Sequence, residues 1–160
     1  MGRECTLEVE ILGIDSEAEY QGRVYDQTVS LRPTTENLSV EYIRVLDSGS
    51  PLQVTEDMIG QICNVKLLIN PEREISIEQI SDPDIMELAD PLSKWSYRFM
   101  GTVPEFDTDR EILQLDIGDG CVIIDLNDSI RELIKGRNGL PNGKFAVSAA
   151  RTDLIDIEIA

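Results

Sequence analysis

The chain has 160 residues, 41% of them hydrophobic, with 14 Lys and Arg against 31 Asp and Glu and a formal net charge of −17. That length suits one ordinary domain or two small ones, and the apolar fraction is enough for a packed core. The absence of histidine removes Ser-His-Asp and Cys-His catalysis and most zinc-hydrolase schemes, while the acidity opposes nucleic acid and anionic membranes as partners.

In residues 5–14, Leu7, Val9 and Ile11 alternate with Thr6, Glu8 and Glu10, which predicts a strand with one wet face. Residues 15–22 read as an acidic turn region. A second strand follows over 23–31, where Val24 and Val29 are out of phase and predict a bulge or bend. After a loop at 33–37, residues 38–46 form a third strand, with Leu38, Val40, Tyr42 and Arg44 on one face and Ile43 and Val45 on the other. Residues 47–53 have loop composition, and Thr55 is placed to cap a short helical turn. A fourth strand over 61–69 sets Cys63, Val65, Leu67 and Ile69 against Ile62, Asn64, Lys66 and Leu68. A fifth strand spans 74–80.

Residues 81–94 break the pattern with two prolines and four acids. Pro83 is suited to the first position of one or two helical turns that end before Pro91. This segment reads as an acidic connector between a β-rich half at 1–80 and a second at 95–160, the two halves being separate or fused. Residues 95–103 are a strand with Trp95, Tyr97 and Phe99 on one face.

The strongest local signal is a hairpin over 111–126. An Asp119-Gly120 loop of type I′ pairs Ile117 with Val122, Leu115 with Ile124 and Leu113 with Leu126, and a Gly118-Asp119 loop keeps the same faces. Asp116, Asp119 and Asp125 lack the spacing of a calcium loop. A helix is expected over 127–135 and two further strands over 144–150 and 154–159.

These elements predict an all-β, mainly antiparallel fold with one short helix. It is built either as two OB-like or small-barrel halves or as a single ten-stranded β-sandwich or barrel. The halves share an order of elements. Gly60 and Gly143 each lead into an apolar strand, and ISIE at 75–78 matches IDIE at 155–158.

The candidate binding surface comprises Trp95, Tyr97, Phe99, Asp107 and Asp109. Exposed rings on an OB-like face stack on bases or sugars, but alternating aromatics more often fill a core, and the weight falls on the core. Asp107/Asp109, Asp82/Asp84 and Asp153/Asp156 are spaced as pairs that could run glycoside hydrolysis or hold a divalent metal, or that bond local backbone amides in turns. Arg131, Lys135, Arg137, Lys144 and Arg151 form either an anion-binding patch or solvated surface pairs. Cys5, Cys63 and Cys121 form no CxxC and are read as buried free thiols in a reducing compartment. No apolar run approaches the ~20 residues of a membrane span. The expectation is a cytoplasmic, non-enzymatic binding or assembly module without cofactor or metal, with a protein partner of basic character and neither nucleic acid nor membrane. The alternatives are an acidic inhibitor or nucleic-acid mimic that blocks a basic partner, and a carboxylate enzyme using Mg²⁺ or Ca²⁺.

Overall fold

The computed structural model describes residues 5–49, 51–71, 82–89, 91–102, 106–107, 112–125 and 144–160. The expected helix at 127–135, the fifth strand at 74–80 and Asp109 lie outside them. The fold is all-β, as expected. Its strands are β1 (Leu7–Tyr20), β2 (Arg23–Pro33), β3 (Ile43–Asp47), β4 (Ile62–Pro71), β5 (Asp84–Glu87), β6 (Tyr97–Thr102), β7 (Phe106–Asp107), β8 (Ile112–Asp116), β9 (Cys121–Asp125) and β10 (Lys144–Ile159). A single 3₁₀ turn, Glu56–Met58, sits between β3 and β4; Thr55 precedes it, but the Thr55 hydroxyl bonds the Asp57 side chain and not a backbone amide.

The sheet is organised around β4 and β10, which run antiparallel from Ile159↔Cys63 to Ala149↔Pro71. The free edge of β4 takes β1 at Ile62 to Val65 and β9 at Leu68 and Ile69. The free edge of β10 takes β6 at Lys144 to Ser148 and β3 at Asp153. With the β1–β2, β2–β3, β8–β9 and β6–β8 pairings, two circuits of five strands close: β1-β2-β3-β10-β4 and β6-β8-β9-β4-β10. Both circuits have one order, in which the third strand meets its neighbour in parallel and every other pairing is antiparallel. β4 and β10 exchange places between them. These are the strands that follow Gly60 and Gly143. The inward residues of both circuits, among them Leu7, Val9, Ile43, Val65, Leu67, Phe99, Leu115 and Ile124, belong to one contiguous core.

Four elements differ from expectation. Residues 15–22 are not a loose turn: β1 runs on to Tyr20, and Gln21 and Gly22, both at positive φ, make the two-residue turn into β2. Positive φ at both positions is what a type I′ hairpin turn requires. Residues 84–87, expected to be helical, form β5, paired with β6 from Asp84↔Met100 to Glu87↔Tyr97 with Ile85 buried. The two C-terminal strands are one, β10, with register shifts at Ala149/Arg151 and Leu154/Asp156. In the 112–125 hairpin, Leu115 pairs with Val122 and Leu113 with Ile124, so the loop is Gly118-Asp119, with Gly118 at φ +107. The apolar face is the expected one, since Leu113, Leu115, Ile117, Val122 and Ile124 are all buried.

The cysteine expectation is corrected. Cys5 and Cys121 form a disulfide, while Cys63 is free and buried. No described helix is long and apolar enough to cross a membrane.

Candidate binding surface

β1 pairs with β4 only over Leu7 to Glu10, and β2 with β3 only over Gln27 to Leu31. Beyond those limits the two strands pair with each other alone, from Ala18↔Asp26 to Tyr20↔Arg23. Residues 17–26 are therefore a two-stranded arm standing off the first circuit. It carries Glu17, Glu19 and Asp26 against one cation, Arg23, with Asp15 at its base. Tyr20 is 64% exposed and Tyr25 47%, and the Arg23 guanidinium lies 5.4 Å from the Tyr25 ring centroid.

A two-stranded ribbon is marginal in water unless something holds its base. Here the turn before β6 does so. The Lys94 ammonium pairs with Glu17, the Thr28 hydroxyl donates to Glu17 Oε1 at 2.7 Å, and Trp95 Nε1 donates to Thr28 Oγ1 at 3.0 Å. Lys94 also lies over the Trp95 ring. The turn itself is tied to β10: Ser93 and Ser96 hydroxyls donate to the Ala150 carbonyl at 2.9 and 2.7 Å, and Thr152 donates to the Trp95 carbonyl at 2.9 Å. The hydrogen bonds from Lys94 and Thr28 hold the Glu17 carboxyl below its ordinary value.

At the arm's base the outward face of β1, β2 and β3 is a groove of about 690 Å³. Its floor is the cross-strand row Gly13↔Ser30↔Arg44, where two of three residues are small. One wall is Tyr42 and Arg44; the other is Glu17 and Lys94. Arg44 donates Nη2 to the Tyr42 hydroxyl at 3.2 Å and lies 5.7 Å from that ring's centroid. Its backbone amide donates to the Tyr97 hydroxyl at 2.9 Å. A second depression of about 500 Å³ lies between Arg23 and Tyr25 of the arm and Pro51 and Leu52.

No family model, curated protein or solved structure matches the chain.

The aromatic candidates are divided. Phe99 is fully buried and Tyr97 6% exposed, in edge-to-face contact with each other. Burial pushes the Tyr97 hydroxyl up, against the donated Arg44 amide, which favours the phenolate. Trp95 lies in the turn before β6, half-buried as the arm's brace. Asp107 is in β7, and nothing further is described of its side chain. Among the other acids, Asp84 accepts from the Ser39 amide at 2.7 Å and from its hydroxyl. Asp153 accepts from Asn70 at 2.8 Å and from Arg151, so Arg151 belongs to an exposed pair. Among the described residues, no three His, Cys, Asp or Glu side chains converge where they could hold a metal. The groove residues Gly13, Ser30 and Lys94 carry no motif. Tyr42 and Arg44, expected on one face of a strand with Leu38 and Val40, are both exposed, with Tyr42 just before β3.

Proposed function

We propose that the chain is a non-enzymatic binding module that holds a basic protein partner through the acidic β1–β2 arm. The observation that carries this reading is the arm itself: residues 17–26 build no part of either circuit, yet Glu17, Thr28, Lys94 and Trp95 brace them. A surface that is held without serving the core is available for recognition. Three carboxylates beside two exposed tyrosines complement a cationic protein, since charge steers encounter and aromatic rings supply contact area. The sharper form is an acidic inhibitor that occupies a basic partner's own binding site.

The order of each circuit is that of an OB-type barrel, which supports the OB-like reading of the two halves as an analogy of topology. A cytoplasmic setting has less support than composition suggests, because a disulfide such as Cys5–Cys121 persists mainly in oxidising surroundings.

The test is capture of a basic partner by the full chain at low and high salt. Replacing Glu19 and Asp26 by their amides should abolish capture while leaving the thermal midpoint in place. Capture that survives both the substitutions and high salt would rule out the arm as the docking element.

A further inference from the structure

We propose that the groove over Gly13 and Ser30 binds an acidic saccharide, Arg44 taking its carboxylate and Asp15 its hydroxyls. This site shares Glu17 with the arm's brace but does not depend on the protein-binding reading.

The groove's charges are the first argument. Lys94 is committed to Glu17, and the other charged residues of the lining are Arg44 and Asp15. Arg44 is exposed, and no described carboxylate hydrogen-bonds to it, although Glu87 acts on it electrostatically. Tyr42 holds it from the side through one Nη2 hydrogen bond and the ring face. The remaining donors of a planar guanidinium are arranged for two-point binding of a carboxylate.

Shape and polarity narrow the ligand further. At about 690 Å³ the groove lies within the ~300–1,000 Å³ range of small-molecule sites. Its lining is hydroxylic at Ser16, Ser30 and Tyr42, with Leu12 its one aliphatic side chain. An apolar ligand would leave these groups unpaired, whereas a sugar supplies donors and acceptors around its ring. The net charge of −17 repels a polyanion such as an oligonucleotide but tolerates one carboxylate set against one arginine. Gly13 keeps the floor open, for a Cβ built there meets nothing within 4 Å.

The full chain is titrated with glucuronate, glucose, inorganic sulfate and a glucuronate-containing oligosaccharide, followed by backbone amide shifts and calorimetry. Glucuronate should shift the amides of Gly13, Ser30 and Arg44, and glucose should bind at least tenfold more weakly. Arg44→Gln should lose at least tenfold in affinity, and Arg44→Lys should fall between, keeping the charge without the fork. Gly13→Phe should abolish binding with an unchanged thermal midpoint. Tighter binding of the oligosaccharide would assign a polymer as the source, and equal binding a free sugar acid. The proposal is overturned if glucuronate shifts none of these amides, if sulfate binds as tightly as glucuronate, if a short single-stranded oligonucleotide displaces it, or if Gly13→Phe binds as the natural chain does.

Discussion

Cys5 and Cys121, 116 residues apart in the chain, are joined by a disulfide at the place where β1 and β9 meet end to end along one edge of β4. The Cys121 amide also donates to the Thr6 carbonyl at 3.0 Å. The bond thus closes a seam between the two circuits that backbone pairing only begins to close. Constraining a loop of this length in the unfolded chain is worth about 5 kcal/mol by chain entropy alone, and disulfides typically deliver about 2–4 kcal/mol. Reduction, or the paired change Cys5→Ser with Cys121→Ser, should lower the urea-unfolding free energy by roughly that amount. Cys63→Ser should leave the response to reductant intact. Cys63 itself is buried, and burial pushes its thiol up, so it should resist thiol reagents until the chain unfolds. A doubly substituted chain as stable as the natural one would refute the staple.

Asp47 is fully buried and organises the loop after β3. Its Oδ2 accepts from Gln27 Nε2 at 2.9 Å, the Gln53 amide at 2.9 Å and the Val54 amide at 3.0 Å, and its Oδ1 accepts from the Gly49 amide at 3.2 Å. Gln27 Nε2 also donates to the Val54 carbonyl at 2.7 Å. Every partner of the carboxylate is a donor. Asp47→Ala strands them and should cost about 3 kcal/mol. Asp47→Asn should cost nearly as much, because its NH₂ faces donors. Gln27→Ala removes one donor and should cost less. Equilibrium denaturation of the three variants gives the ranking, and a harmless Asp47→Asn would contradict the network.

Two glycines mark close approaches between elements far apart in sequence. A Cβ at Gly101 in β6 would lie 2.0 Å from the Asp116 carbonyl oxygen, where β6 closes on β8 at Thr102↔Asp116. A Cβ at Gly120 would lie 2.5 Å from Leu7 Cδ1. Backbone cannot yield locally, whereas a leucine methyl can turn away. Gly101→Ala should therefore destabilise by about 3 kcal/mol or more, and Gly120→Ala by about 1 kcal/mol. Gly13→Ala should be near neutral. Thermal unfolding of the three variants checks the order, and Gly120→Ala proving the costlier change would reverse the assignment.

The same glycines show what could be read from the chain. Alternation at Leu113, Leu115 and Ile117 and again at Val122 and Ile124 marks the buried face because one side of each strand is uniformly apolar. Asp119-Gly120 looked like the turn by local preference, but Gly120 lacks a side chain for the sake of Leu7, more than a hundred residues earlier. The arm was hidden because residues 15–22 bury neither face, so no apolar period reveals strands held by backbone pairing. β5 has one buried residue, Ile85, and takes its form from β6. Polar residues Arg151 and Asp153 made β10 look like two strands, although Thr152 between them is buried. The groove draws its lining from β1, β2, β3 and the 93–96 turn. No spacing in the sequence reports a site assembled that way.

The pH response of the arm follows from Glu17. Hydrogen bonds from Lys94 and Thr28 depress its folded-state pKa below the ordinary carboxylate range. A depressed carboxylate contributes stability that is present above its unfolded pKa and is lost as pH falls through the folded one. The brace should accordingly hold at neutral pH and weaken in acid below the ordinary carboxylate range. Amide hydrogen exchange in residues 17–26 should accelerate there, relative to the core strands, once corrected for the intrinsic pH dependence of exchange. Glu17→Gln should loosen the arm at neutral pH and remove most of the acid-dependent change. Lys94→Met should act similarly, because it removes the first cause of the shift while retaining the chain over Trp95. The pair is partly exposed, with side-chain exposures of 42% for Lys94 and 23% for Glu17, so high salt should also weaken it. Arm exchange that is indifferent to both substitutions would show that backbone pairing alone holds the ribbon.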